Sequence, residues 1–535
     1  MNPFIYHFRW YNEIQESQLN DFVQTIVNPI EAFIVSFIIY QCVMMNEANI
    51  GFYHSIMWGF VYLLTRCLQA VVPKVNLWLA GIILLSGTVQ AMVSVLQYMG
   101  VWASNHPLYA ATGTFDNPGP LGGYMAVCLV LAVPLWSECN KPIFKRMLLA
   151  SVLLMGTGCI FSDSRAAWMA LTVALGYMLV RRIPQKARKM AWMVLPTLAL
   201  VVAVTLYTYR PASADGRLLV WKVSTRMMAD SPLWGQGTNS FAGQYMNCQA
   251  AYFQTREHTA EEALLASDNT LAFNEVVRIG CEYGIIGLML CLGTGTALIL
   301  SSRQADNVQR AAFSALIAYT VFACFSYPAE VPTLKLTGAI LLAMAVPCSE
   351  RSWFTGKKVR LAFLLLLAVY LGALGREHYR EHLVKKALVR YNVEEDEESE
   401  QALKELYPHY RDNDRMMSLH AKMLFEKGLY EECIPLLTES VRLIPTGGKY
   451  MDLGTSYQYM GETEKATACF KRASYMLPGH ILPVYSLFCI YKEDAPMPDS
   501  ATWYAHRLTE MRIKKESDYT RSIRKEAADY LKEKK

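Results

Sequence analysis

Charge is scarce over most of this chain. Residues 1–375 carry 25 Lys and Arg against 19 Asp and Glu, whereas residues 376–535 carry 26 and 27. About 12% of the first part is charged and about 33% of the second. A soluble domain as long as the first part needs more polar surface, so a wholly soluble chain is excluded. None of the 13 cysteines forms a CxxC pair, which argues against a zinc or redox site. The net charge of +5 divides into +6 and −1, and no basic stripe with interleaved aromatics occurs, so nucleic acid is not an expected partner. Residues 1–21 are polar and aromatic, with Glu13, Glu16 and Asp21 and no cleavage site. They are not read as a signal peptide, and the first apolar run is expected to remain as a membrane helix.

Long apolar runs are plentiful. Eleven lie near 24–45, 52–72, 76–100, 119–136, 146–161, 163–180, 190–208, 279–300, 311–326, 336–348 and 360–375. A spanning helix needs about 20 mostly apolar residues. The expected fold is therefore all-α: a polytopic transmembrane bundle of about eleven spans (1–375), then a soluble α-helical repeat domain (376–535). With the N-terminus inside, Lys and Arg fall on the inner loops, at Lys74, Lys141, Lys145, Arg146, Arg181, Arg182, Arg188 and Arg310 among others. The short outer loops near 46–51, 103–118 and 327–334 contain none. The positive-inside rule then places the long loop 209–275 and the C-terminal domain outside.

In the tail, Ala421, Gly428, Tyr430, Cys433, Leu437 and Pro445 recur as Gly454, Gly461, Thr463, Ala466, Phe470 and Pro478, a repeat with a period of about 33. This resembles the tetratricopeptide pattern of paired helices. A groove for a protein or peptide and a self-packed cap are both open readings. Cys433, Cys469 and Cys489 read as buried small residues, with a disulfide as the alternative. The acidic run 394–398 reads as solvated rather than metal-binding.

Three segments hold candidate chemistry. Arg165 stands in SDSRAAW at the outer start of an apolar helix, where an Arg faces the bundle interior, a water-filled site or the interface. In 215–241, Leu218, Leu219, Trp221, Val223, Met227 and Met228 form an amphipathic pattern carrying Arg217, Lys222 and Arg226. Such a helix can lie in a bilayer interface, and its cations can hold a diphosphate. In 266–288, Asp268, Asn274, Glu275 and Arg278 precede an apolar span; the i, i+4 spacing gives Asn274 and Arg278 one helix face. Glu275 can pair with Arg278 or act as a base toward a hydroxyl.

Four segments in this order resemble the O-antigen ligase, O-antigen polymerase and O-oligosaccharyltransferase superfamily of bacterial membrane glycosyltransferases. They are GTFDNPGPLGGYMAVCLVLAVPL (113–135), SDSRAAWMAL, GRLLVWKVSTRMMADSPLWGQGTNSF and FNEVVRIGCEYGIIGL. The resemblance covers roughly 110–300. It implies transfer of a glycan from an undecaprenyl-diphosphate carrier to an acceptor hydroxyl at the periplasmic face of the inner membrane, without metal or other cofactor. Arg165 and Arg217 would hold the diphosphate, and Lys222, Asn274, Arg278 and Asp268 would contact substrate. The acceptor is lipid A core in a ligase, with a carrier-linked repeat or a glycoprotein as alternatives. Where many members have His in the HNE motif, this chain has Phe273; Glu275 is the first replacement as base, then Asp268 and His258. A membrane transporter is the competing class, and a non-catalytic scaffold built on the repeats is a third.

Overall fold

The computed structural model describes residues 29–45, 50–209, 211–255, 258–302, 306–347, 356–394, 397–514 and 516–534. The readings made of residues 1–21, of the start of the first run and of most of loop 46–51 lie outside these residues, as do Glu395 and Asp396 of the acidic run.

Among the described residues every regular element is helical. All eleven apolar runs coincide with helices: α1 (Pro29–Val43), α2 (Ile50–Gln69), α3 (Val75–Tyr98), α4 (Pro118–Glu138), α5 (Pro142–Phe161), α6 (Arg165–Arg182) and α7 (Gln185–Tyr209), then after an insertion those at Glu275–Ser301, Asn307–Ala323, Pro332–Ala345 and Lys357–Glu394. Six of them are long and apolar enough to cross a membrane, and Pro29–Val43 and Pro332–Ala345 are apolar but shorter. The insertion forms α8 (Pro211–Asp230), α9 (Ser240–Gln254) and α10 (Ala260–Leu265), so the last four runs are α11 to α14.

Helix α4 is the centre of the bundle. It is apolar all round, as a helix enclosed on every side must be. Leu121, Tyr124, Met125, Val127 and Leu131 are all 1% exposed or less. Small residues let the neighbours close in: a Cβ on Gly122 would meet Ser164 at 2.4 Å, and one on Gly123 would meet the Phe322 ring at 2.3 Å.

Helix α14 has 38 residues, about 57 Å of helix at 1.5 Å per residue. Its first half packs on α2, where Tyr370 stacks on Phe60 at 4.0 Å and donates to the Tyr53 carbonyl at 2.9 Å. Its second half supplies Val384, Leu388 and Tyr391 to the tail core. The composition break at 375/376 thus falls inside one continuous helix.

The tail continues with α15 (Glu397–Tyr410), α16 (Asp414–Glu426), α17 (Tyr430–Leu443), α18 (Gly447–Tyr459), α19 (Thr463–Met476), α20 (Ile481–Cys489), α21 (Pro498–Glu510) and α22 (Asp518–Glu533). Hairpin α18/α19 repeats hairpin α16/α17: Gly447 starts where Asp414 does, and Thr463 where Tyr430 does. Each first helix ends in a left-handed glycine, Gly428 (φ 74°) or Gly461 (φ 76°). The amides beyond them close matching caps, Leu429 onto Leu424 and Glu462 onto Tyr457. Cys433, Cys469 and Cys489 are free thiols, the first two buried.

The tail docks on the insertion. Met476 and Leu477 enter one core with Leu219, Val223, Met227, Phe241 and Tyr245. Gln249 Nε2 donates to the Met476 carbonyl at 2.7 Å, and Arg472 donates to Asn247 Oδ1 at 2.7 Å. Tail and insertion therefore share one side of the bundle. The amphipathic face of α8 is used here too: Leu219, Val223 and Met227 are buried against this core instead of lying on a bilayer.

Candidate functional site

Arg165 and Arg217 stand on different helices, α6 and α8, and line one cavity of about 340 Å³. Its other walls are Met169, Val204, Leu206, Trp221, Phe325 and further apolar side chains, with Tyr207. Arg165 begins α6 and donates to the Leu206 carbonyl at 3.1 Å and to Ser213 Oγ at 2.8 Å. Arg217, in the second turn of α8, donates to the Phe325 carbonyl at 2.7 Å. Burial, and then the Arg165 cation, push the Arg217 guanidinium below its ordinary value. It stays protonated, because an arginine titrates so far above neutrality. Two like charges in a cavity with no carboxylate among the described residues of its wall make a place for an anion.

Phe273 links this cavity to a second group of charges. It is held in the left-handed region (φ 52°), uncommon for a bulky residue. The Arg217 guanidinium lies 5.4 Å over its ring, and Tyr327 meets the ring edge-to-face at 5.5 Å. Burial pushes the Tyr327 phenol up, and the Arg217 charge pulls it partly back. Phe273 and Tyr327 also line a smaller cleft with Glu275, Arg278, Glu282 and Glu330.

Arg278 organises that cleft. It bonds Glu275 at 2.7 Å and Glu282 at 2.8 Å, and Glu330 lies 3.7 Å away. The second Glu275 oxygen accepts from the Ala329 amide at 2.9 Å, tying α11 to the 3₁₀ turn Pro328–Glu330. Glu330, with its side chain 40% exposed, is the most open of the three carboxylates.

A break in α11 shapes the cleft. Gly284 has φ 59° and ψ −158°, and segment 232–237 enters the gap. The amides of Gln236 and Gly237 donate to the carbonyls of Cys281 and Glu282 at 3.0 Å each. In return, Ile285 and Ile286 donate to the carbonyls of Pro232 and Leu233 at 2.9 and 3.3 Å. Backbone groups released by the break are thus satisfied by another segment, as buried backbone donors and acceptors require. Gly235 must be glycine for the same approach, since a Cβ there would meet the Glu282 carbonyl at 2.4 Å.

Of the other expected residues, Asn274 lines the smaller cleft, and Asp268, Lys222 and His258 lie elsewhere. Asn274 and Arg278 do not share a helix face: Asn274 is the N-cap of α11, its side chain accepting from Val276 and Val277 at 2.9 and 3.2 Å. Asp268 turns to the tail and accepts from Gly447 and Gly448 at 2.7 and 3.2 Å, a better use of a carboxylate at the positive start of α18. Lys222 pairs with Glu262 at 2.6 Å with its side chain 53% exposed, and does not line the arginine cavity. His258 Nδ1 contacts the Thr255 carbonyl at 2.8 Å beside Phe253. Sequence reasoning missed Tyr327, Glu330 and Glu282. Glu282 lay within the quoted FNEVVRIGCEYGIIGL segment; Tyr327 and Glu330 carried no signal beyond an outer loop without Lys or Arg.

A comparison with curated proteins gave no match. Residues 150–292, which include Arg165, Arg217, Phe273, Glu275, Arg278 and Glu282, match the sequence model of the family described as O-antigen ligase. With the apolar helices, this supports a multi-pass membrane protein of the O-antigen ligase and polymerase type.

Proposed function

We propose that the protein is an integral-membrane glycosyltransferase that takes a glycan from an undecaprenyl-diphosphate carrier and transfers it to an acceptor hydroxyl, with lipid A core as the acceptor. The reaction face is the one bearing insertion and tail, read as the periplasmic face of a bacterial inner membrane. The observation that carries this reading is the pair Arg165 and Arg217 on one otherwise apolar cavity. An isoprenoid diphosphate matches such a cavity in both its parts, hydrocarbon and anion.

The acceptor oxygen attacks the anomeric carbon, and the bond from that carbon to the diphosphate oxygen breaks. Negative charge grows on the departing carrier diphosphate, and two fixed guanidiniums stabilise it there. In this reading they supply the neutralisation, with no metal. The acceptor proton passes to a carboxylate of the neighbouring cleft. Glu275 holds Arg278 and the Ala329 amide, so Glu330, the more open group, takes the proton and Glu275 positions the cluster. Lys222 contributes through the structure of the insertion, Asp268 through its contact with the tail, and Asn274 through the cap of α11. The paired-helix tail is read as tetratricopeptide-like, a surface beside the site for a protein or a bulky saccharide.

The test is deletion of the gene and complementation with wild type, Arg165→Gln and Arg217→Gln, each checked for its level in membranes. Loss of the long lipopolysaccharide ladder with intact core supports the ligase. A single-repeat band supports a polymerase, and loss of glycan from envelope proteins a protein glycosyltransferase. Full rescue by both arginine variants sinks the reading and reopens the transporter.

A further inference from the structure

The opposite face of the bundle holds a second convergence of arginines. Arg181 and Arg182 end α6, Arg188 lies in the first turn of α7, and Arg310 in the first turn of α12. All four line one polar cavity of about 290 Å³, together with Asn307 and a single carboxylate among the described residues, Glu138. Three of these guanidinium groups donate, among the described residues, only to neutral oxygens. Arg182 reaches Ser137 Oγ at 3.2 Å, Arg188 reaches the Ile183 carbonyl at 3.1 Å, and Arg310 reaches Asn307 Oδ1. The α12 N-terminus, capped by the Asp306 carboxylate, opens on the same cavity through Asn307. Phe313 and Met178 give part of the wall an apolar character.

Orientation by positive charge explains why cations stand on this face, but it needs only charge near the helix ends. It does not require three helices to aim four guanidiniums into one cavity. Lys141 and Lys145 show the alternative on the same face, spread over the rings of Phe144 and Trp136. We propose that this cavity binds a phosphate-bearing ligand, the headgroup of an anionic membrane lipid. Guanidinium forks suit phosphate oxygens, and basic pockets between membrane helices recognise lipid headgroups in this way. The site is separate from the Arg165–Arg217 cavity, lying at the other ends of α6 and α7, and does not depend on the reaction proposed above.

The experiment uses the full chain in nanodiscs of phosphatidylcholine carrying a fluorescent phosphatidylglycerol or cardiolipin as probe. Wild type, Arg181→Gln/Arg310→Gln and Lys141→Gln/Lys145→Gln are compared, with the melting temperature as the check on folding. The arginine pair is expected to weaken the anionic lipid about 100-fold or more, the effect of losing two charge-assisted hydrogen bonds to phosphate. The lysine pair, with the same loss of charge, should change it little. Arg181→Lys/Arg310→Lys should fold as wild type and recover only part of the binding. In detergent without lipid, inorganic phosphate or pyrophosphate that raises the melting temperature of wild type but not of the arginine pair would support the phosphate site and name a soluble source. Equal losses in the arginine and lysine pairs, or none in either, would overturn the proposal.

Discussion

Gly284→Ala should disable the protein out of proportion to the single methyl group it adds. The backbone there has φ 59° and ψ −158°, a region almost confined to glycine. A Cβ would stand 2.4 Å from the Leu233 carbonyl oxygen and 2.7 Å from the Gly235 nitrogen, both backbone atoms without a rotamer to yield. Strain costs about 1–3 kcal/mol. Losing two of the four hydrogen bonds between 232–237 and the broken helix adds about 1–3 kcal/mol. The total, about 2–6 kcal/mol, is a large part of an ordinary folding free energy. The displaced turn is also the one that carries Arg278 and Glu282, so glycan transfer should fall with stability. Purified Gly284→Ala should melt about 2–5 °C below wild type. Gly216→Ala is the control: nothing lies within 4 Å of its added Cβ, and alanine is the better helix former. Gly284→Ala melting and working like Gly216→Ala would refute the close-approach argument.

Three further outcomes follow from particular side chains. Burial pushes His420 down to about 4 from 6.5. The unfolded chain therefore takes up the proton first as the pH falls, and the stability from this group, complete above 6.5, is lost between 6.5 and about 4. The loss is roughly 3 kcal/mol, and His420→Gln should flatten this part of the profile of melting temperature against pH; an unchanged slope would contradict it. Asp268→Ala removes the carboxylate from the start of α18 at a cost of about 1 kcal/mol, and hydrogen exchange at Gly447 and Gly448 should quicken. Unaltered exchange would show that Asp268 does not secure the tail. Glu330→Gln should slow transfer by about 10²–10⁴-fold with carrier binding intact, while Glu275→Gln should also lower the melting temperature. Equal transfer rates for Glu330→Gln and wild type would remove Glu330 from proton transfer.

The sequence makes some of this architecture readable and hides the rest for physical reasons. Each apolar run marks a helix, because hydropathy reports burial in lipid or protein directly. It does not report how a helix is used: α4 is enclosed by protein, while α7 has Leu195 as its only buried side chain. Composition changes at 376, yet α14 runs through that point, since a helix can leave an apolar setting for a polar one without a break in its hydrogen bonds. Arg165 stood out as a charge in apolar surroundings, where a cation needs a reason to be; Arg217 stood out only through the family resemblance of its segment. Tyr327 and Glu330 sit in a short loop beyond α12, two helices on from the start of the cleft, and only the fold brings them to Arg278. The role of Asp268 was equally hidden, because its partner amides lie 179 and 180 residues away. The break at Gly284 left no mark in hydropathy; it shows only through the segment that fills it.

The most direct test is the binding of undecaprenyl diphosphate to the purified protein. Each arginine that bonds the diphosphate contributes about 1.5–3 kcal/mol as a charge-assisted hydrogen bond, so Arg165→Gln and Arg217→Gln should each weaken binding about 10- to 150-fold. Undecaprenol, which lacks the diphosphate, should bind all three proteins alike. Equal affinity of wild type and both variants for the diphosphate would contradict the assignment of this cavity to the carrier.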